Sequence, residues 1–471
     1  MIILSFLIFL APVISGVLLV HWLWSERTGM AMLLKLCLGI GLGLGANSFL
    51  YFLSLLLGLD FRILEILQIS ILVFLAILTV VRAGRENRAE YEMHPIRRIQ
   101  WILLGAVLSA CVVSGLIFLN LSAARPQGAF DAWSIWNRAA RFIYRDPEHW
   151  FATLAPELHW ATHPDYPLLI PLNVAWGWQA VGMETTRIPM MQSAFFVFAM
   201  IGMMFAAVGF LRTIGQASLA AIVLMSMPAL LETGYAQIAD IPLSFFILAT
   251  CVLIYLYVRI ETPILLVFSG FAAGLGAWTK NEGSLFVVVS IVALLLLSDR
   301  KDWRTRIPGY LMGLALPLSI VLYFKIALVP RTDIFLAGAE SMFTRIADPS
   351  RYWLILTSIV DMLSHYSGWP INIFLILIIY AAILKLDLLR DSSAANRMVA
   401  GMLTLQFLGY CGIYVLTPHD LIWHLYFSFP RLLFHVLPAG LFLYFCNITE
   451  PEMVFTKTPR EGNEMNATSA M

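Results

Sequence analysis

Apolar runs long enough, or nearly long enough, to cross a bilayer recur along the whole chain. They lie at 2–24, 31–58, 63–81, 100–122, 188–211, 217–231, 242–259, 263–279, 284–298, 308–329, 370–386, 398–416 and 431–447. A backbone in lipid has to satisfy its own hydrogen bonds, so all thirteen are expected as helices. Run 217–231 is the weakest of them. Two further stretches, 167–182 and 353–369, are apolar but interrupted by Pro, Gly, Trp, His or Asp. The opening run has no basic flank and no small-residue cleavage site, which predicts a retained span rather than a signal peptide. The polar stretch 449–471 reads as a disordered tail. The expectation is an all-α polytopic membrane protein with about 13 transmembrane helices.

Composition strengthens this reading. Of the 471 residues 60% are hydrophobic and only 13% charged, about half the charge that a soluble surface carries. The 30 basic and 29 acidic residues nearly cancel, leaving no concentrated basic face for nucleic acid. Their positions matter more than their sum. Arginines 82, 85, 88, 97 and 98 crowd one connection, and Arg300, Lys301, Arg304 and Arg306 crowd another. Basic connections stay in the cytoplasm. Six clear runs separate these two, so both can be inside only if 167–182 does not cross. The segment 167–182 is therefore expected to lie along the outer surface. Placing 385–397 inside assigns 353–369 the same role, with the N-terminus outside and the C-terminus inside. The cysteines 37, 111, 251, 411 and 446 stand singly in apolar runs, as small buried hydrophobes do.

This topology gathers the acidic, His and aromatic clusters on one face. The loop Phe130 to Asp146 carries Asp131, Trp133, Trp136, Asn137, Arg138 and Arg141. Asp131 suits a general base in a rim of low dielectric; a helix N-cap is the plainer alternative. The segment His163-Pro164-Asp165-Tyr166-Pro167-Leu168 mixes polar groups with rings suited to stacking on a sugar. An interfacial aromatic belt explains Trp176 and Trp178 well, but His163-Pro164-Asp165 poorly. Asp240 opens a span just before Pro242, as a functional acid or as another cap. Lys280 and Glu282 occupy a hairpin between two apolar runs, where the lysine can bind phosphate or merely snorkel. The last connection holds His419, Asp420 and His424. Arg431, expected at the outer end of the last span, is suited to a bidentate clamp on phosphate or to interfacial anchoring. The spacing of His163, Asp165, His419, Asp420 and His424 matches no standard metal motif, so no metal ligands are assigned, and a divalent cofactor stays open. A Walker loop, a dinucleotide fingerprint and a GxSxG elbow are all missing from the sequence.

The order of these motifs resembles the GT-C superfamily of polytopic glycosyltransferases, which includes protein O-mannosyltransferases and lipid A aminoarabinose transferases. The resemblance rests on the loop Asp131, the Asp-Tyr-Pro-Leu segment at 165–168, the Ala-Asp-Ile-Pro-Leu span start at 239–243 and the Trp-Thr-Lys-Asn-Glu-Gly hairpin at 278–283. It covers residues 100–447. Residues 1–99 would be three additional helices with a basic cytoplasmic loop, and 448–471 a cytoplasmic tail. It implies a GT-C-like core with juxtamembrane helices on the outer face, in a bacterial inner membrane with a periplasmic active site. The donor would be a polyprenyl-phosphate sugar and the acceptor a lipid, a glycan or a protein. Asp131 and Asp240 would be the catalytic acids, with Asp131 as base in an inverting transfer. Lys280, Arg431, Arg138 and Arg141 would hold the donor phosphate. Trp133, Trp136, Asn137, His163, Asp165, Tyr166, Glu282, His419, Asp420 and His424 would bind acceptor or sugar. The sequence departs from the Lys-Pro-Pro-Leu-Tyr form of the first loop, carrying His163-Pro-Asp-Tyr-Pro-Leu there. A flippase for a lipid-linked saccharide is the first rival, but it needs polar groups spread through the membrane midplane. A lipid-linked glycan polymerase or ligase, or a non-catalytic scaffold, is the second.

Overall fold

A computed structural model describes residues 2–83, 98–158, 162–330, 339–366, 372–386 and 393–450. Most of the arginine-rich connection 82–98, part of the basic connection 385–397 and the tail from 451 fall outside the described residues. The helices are α1 (Ile2–Leu23), α2 (Gly29–Leu56), α3 (Phe61–Ala83), α4 (Arg98–Ala124), α5 (Asn137–Arg145), α6 (Leu169–Val181) and α7 (Arg187–Leu211). Next come α8 (Ile214–Ser226), α9 (Pro228–Tyr235), α10 (Asp240–Ile260), α11 (Ile264–Thr279), α12 (Asn281–Leu297) and α13 (Trp303–Tyr323). The last five are α14 (Ala339–Ile346), α15 (Pro349–Ser364), α16 (Ile373–Leu384), α17 (Ser393–Leu416) and α18 (Leu421–Asn447). Side-chain caps start several of them. Thr28 accepts from Ala31 N, Thr213 from Gln216 N, Asn372 from Phe374 N and Leu375 N, and Asp420 from Trp423 N, each satisfying an orphan donor of a first turn.

Every expected apolar run is helical, but the runs are unequal. Among the described residues nine helices are long and apolar enough to cross. The run 217–231 is a broken pair, α8 and α9, bent by 59°, with Pro228 opening the second piece. The helices α11, α12 and α16 have 16, 17 and 12 residues, shorter than the ~20 that a straight span needs. Among the described residues the expected runs thus divide into nine or ten helices long enough to span and three shorter apolar ones, and the count of thirteen crossings is not confirmed.

Within 167–182 lies α6, which is buried against neighbouring helices from Leu169 to Trp178. Its 13 residues reach about 20 Å, short of a crossing. The reason for its burial is a polar seam. Asn47 Nδ2 donates to Asn173 Oδ1 at 2.9 Å, Gln68 Nε2 to Asn47 Oδ1 at 2.5 Å and Trp176 Nε1 to Gln68 Oε1 at 3.2 Å. That seam also ties α2 and α3 into the body. Trp278 of α11 donates to Ser48 of α2 at 2.9 Å, and Gly41 and Gly45 let Phe245 and Leu275 press against α2. The first three helices thus pack directly against the rest of the body. Within this body α10 is the central element, buried from Asp240 through Leu256.

Lys280 alone separates α11 from α12, in an extended conformation (φ −159°, ψ 156°). A turn this tight brings the two backbones together. A Cβ on Gly283 would collide with the carbonyl oxygen of Gly276, so only glycine closes the hairpin. Gly283→Ala is expected to cost roughly 1–3 kcal/mol through overpacking. Gly440→Ala, where a Cβ meets nothing, should cost nothing. Thermal unfolding in detergent measures both, and equal melting points would refute the hairpin argument.

Candidate active site

Asp240 is the first residue of α10 and is 0% exposed. Its carboxylate does not cap the helix; it is the acceptor for three side chains from two other elements. Arg431 Nη2 reaches Oδ2 at 2.7 Å while Arg431 Nε reaches Oδ1 at 3.3 Å. Lys280 Nζ lies 3.2 Å from Oδ1, and His435 Nε2 donates to the same oxygen at 2.7 Å. The fork geometry of Arg431 suits a carboxylate bidentately. Arg431 also extends Nη1 to Asp131 Oδ2 at 2.7 Å, and Lys280 touches Glu282 Oε1 at 3.0 Å. Three carboxylates thus surround two cations, with the His435 imidazole as a further donor. Taking such charges out of water is costly unless every partner stays in place.

Local backbone geometry delivers each group. Asp131 immediately precedes a π-helical turn, Ala132–Trp136, and makes no capping bond. The loop before it is pinned by Ala129 N donating to Ala236 O at 3.1 Å. Gly128 sits at φ +74° with no room for a Cβ beside that carbonyl. Asn137, 0% exposed, donates to Gln237 Oε1 at 3.2 Å, fastening the start of α5 to the turn before α10. On α18 the residues His424, Ser428, Arg431 and His435 recur at helical spacing, and therefore share one face. Tyr410 and Tyr414 of α17 oppose them, at 3.3 Å from His435 Nδ1 and 2.7 Å from Ser428 Oγ.

A second cluster adjoins the first. Asn281 Nδ2 donates to Asp165 Oδ2 at 2.7 Å, and Lys325 Nζ donates to Asp165 O and to Asn281 Oδ1, both at 2.5 Å. Lys325 belongs to another π-helical turn, Phe324–Leu328, that ends the α13 span. Tyr166 stands beside both clusters, its ring between His163 (4.5 Å, 11°) and Trp136 (5.4 Å, 19°). Tyr166 keeps some exposed area, yet its phenol is pushed well above its ordinary range by burial, with the Glu282 and Asp165 carboxylates adding to the effect. It acts there as a neutral hydroxyl.

Not every residue singled out in the sequence joins this site. Arg141 bonds Glu184 at 3.2 Å and Gln127 at 2.9 Å and lies over Trp178, while Arg138 lies over Phe142. Neither touches the Asp131–Asp240 cluster. Glu184, held below the usual carboxylate range first by its hydrogen bond from Arg145, explains where the charge of Arg141 is used. Trp136 and Asn137 are enclosed at 1% and 0% exposure, Trp136 stacked on Tyr166 and Asn137 bonded to Gln237. Trp133 is exposed and packs on Phe130. Asp420 caps α18, and His424 Nδ1 meets Thr417 Oγ1 at 2.9 Å with His419 beside it. Arg431 is not at the end of the last span, because α18 starts at Leu421 and runs through Pro430. The His and aromatic residues of 421–430 lower the hydropathy without interrupting the helix. Four residues of the two clusters were not singled out: His435, Tyr410, Asn281 and Lys325. An ionisable residue within an apolar run is a signal for both His435 and Lys325, and the four-residue step from Arg431 is a second signal for His435. Among the described residues no three His, Cys, Asp or Glu side chains gather as metal ligands do.

An all-helical body with many apolar spans and an acid–base cluster at the end of its central helix has the form of a polytopic membrane enzyme. Residues 166–324 match the family model described as dolichyl-phosphate-mannose-protein mannosyltransferase. That match agrees with the GT-C resemblance of the motifs and indicates a membrane glycosyltransferase of GT-C type. It covers about a third of the 471 residues, including Asp240, Lys280 and Glu282 but neither Asp131 nor Arg431. No curated protein and no solved structure matches the chain.

Replacing Asp240 with alanine takes one of two carboxylate partners from buried Lys280 and from partly exposed Arg431. Asp240→Ala is expected to destabilise the protein by about 3–5 kcal/mol. The double variant Asp240→Ala/Arg431→Ala should lose less than the sum of the single losses. Thermal unfolding of the four proteins tests this, and strict additivity would remove the pair from the centre of the site.

Proposed function

We propose that this protein transfers a sugar from a polyprenyl-phosphate donor to an envelope acceptor, at the periplasmic face of a bacterial inner membrane. The observation that carries this reading is the double engagement of Arg431. Its inner edge is fixed on buried Asp240, and its outer edge holds one oxygen of Asp131 at 2.7 Å. Among the described residues no donor reaches the other oxygen of Asp131, whose side chain is 27% exposed. A base oriented through one oxygen and open at the other is suited to receive a proton from a bound hydroxyl.

In the proposed reaction the acceptor O–H gives its proton to Asp131. Its oxygen bonds to the anomeric carbon as the bond from that carbon to the phosphate oxygen breaks. The bonding pair leaves with the prenyl phosphate, and the configuration inverts. Positive charge beside the departing phosphate stabilises it in place of a general acid; Lys280 and Arg431 supply that charge. Asp240 acts by positioning both cations and does not touch the reacting atoms. Glu282 steadies Lys280 through its 3.0 Å contact. The partly exposed His163 and Tyr166 and the exposed Trp133 form the wall for sugar or acceptor. Arg141, engaged by Glu184 and Gln127, takes no part.

Asp131→Asn is expected to lower transfer by about 10²–10⁴ while leaving the melting point and prenyl-phosphate binding close to those of the parent. Incubation of the purified protein with radiolabelled polyprenyl-phosphate sugar and envelope acceptors measures this. Near-normal transfer by the variant would exclude Asp131 as base, and translocation of the donor without transfer would favour a flippase.

A further inference from the structure

The two cations nearest Asp240 are already answered by carboxylates at contact distance. Arg431 binds Asp131 and Asp240 at 2.7 Å each, and Lys280 binds Glu282 at 3.0 Å and Asp240 at 3.2 Å. With three acids and two cations, this half of the site is a poor attractor for an anion by itself. Lys325 is held differently. Its two direct hydrogen bonds, both 2.5 Å, go to neutral oxygens, the Asp165 carbonyl and the Asn281 amide. The Asp165 carboxylate stands at 3.9 Å, beyond hydrogen-bond distance, and its Oδ2 already accepts from Asn281. An ammonium group has three N–H donors, so among the described residues one donor of Lys325 is left for a ligand. Its side chain is 22% exposed, open enough to meet one.

The backbone places this lysine deliberately. A π-helical turn inserts an extra residue into a helix and re-aims the side chains around it, often at functional sites. Here one such turn follows Asp131 and the other carries Lys325. Phe324 anchors the second turn, 0% exposed and edge-on to Trp278 at 5.2 Å. Through Asn281, next to Lys280 in the chain, the ammonium is tied to the same hairpin that serves Asp240.

We propose that Lys325 is the cation that captures the phosphate of the prenyl-phosphate donor, a positioning residue for the transfer that rests on the function proposed above. Lys325 draws the phosphate toward the hairpin as a point charge. Lys280 and Arg431 then act on the phosphate oxygen from which the sugar departs.

The test measures binding to the full chain in detergent or nanodiscs, with sugar-free polyprenyl phosphate and the matching uncharged prenol as probes. Lys325→Met should weaken polyprenyl-phosphate binding by about tenfold or more, the worth of a charged hydrogen bond, with binding of the prenol unchanged. Lys325→Arg should restore most of the affinity. A lysine that only braces the 163–166 loop against α12 would instead lower the melting point of the ligand-free protein and leave the phosphate-to-prenol preference intact; that result overturns the inference. Failure of the unaltered protein to prefer the phosphate over the prenol overturns both this inference and the proposed donor. Preserved preference without sugar transfer overturns the reaction alone.

Discussion

A single buried carboxylate, that of Asp240, fixes the geometry on which the site depends. A charge removed from water at the end of an apolar helix persists only where opposite charge and donors meet it directly. Arg431, Lys280 and His435 do so from α18 and from the α11–α12 hairpin. Each of those groups is thereby stripped of alternative poses. The orientation of Asp131 follows in turn, because the guanidinium that clamps Asp240 has its outer edge left for it.

The helices around this contact are shaped to permit it. Tight turning at Lys280 brings two short helices into contact through Gly276 and Gly283, which puts an ammonium and a carboxylate two residues apart on one rim. Irregular turns after Asp131 and around Lys325 redirect two further charged side chains. The regular parts, above all α10, α2 and α7, supply a rigid body instead. Chemistry and scaffold are therefore divided between irregular and regular backbone, as expected where strained geometry serves a site.

Several members of the site were legible in the sequence because charge is conspicuous in and beside apolar runs. Asp131, Asp240, Lys280, Glu282 and Arg431 stood out in that way, and the structure brings all five into one connected network. Arg141 stood out equally and is engaged outside that network. Nothing near Arg141 in the chain announces that Glu184, 43 residues later, takes up its charge. The interior position of α6 was similarly hidden. Its Asn and Trp residues look like interruptions to a span until their partners on α2 and α3 are known. Lys325 and His435 carried the same mark of an ionisable group in an apolar run, but which element each faces depends on packing.

The sequence by itself determined the class of body. Apolar runs and few charges leave no other way to satisfy the backbone than helices in a membrane, and every run that it marks is helical. It also determined that acidic, His and aromatic groups cluster near particular helix ends. Only the tertiary structure decided which of those charges meet, which described helices are long enough to cross, and how α1–α3 pack against the body. The physical reason is range. Hydropathy and helical period act over a few turns and are written along the chain, whereas an ion pair joins residues 191 or 300 positions apart and exists only once the helices have packed.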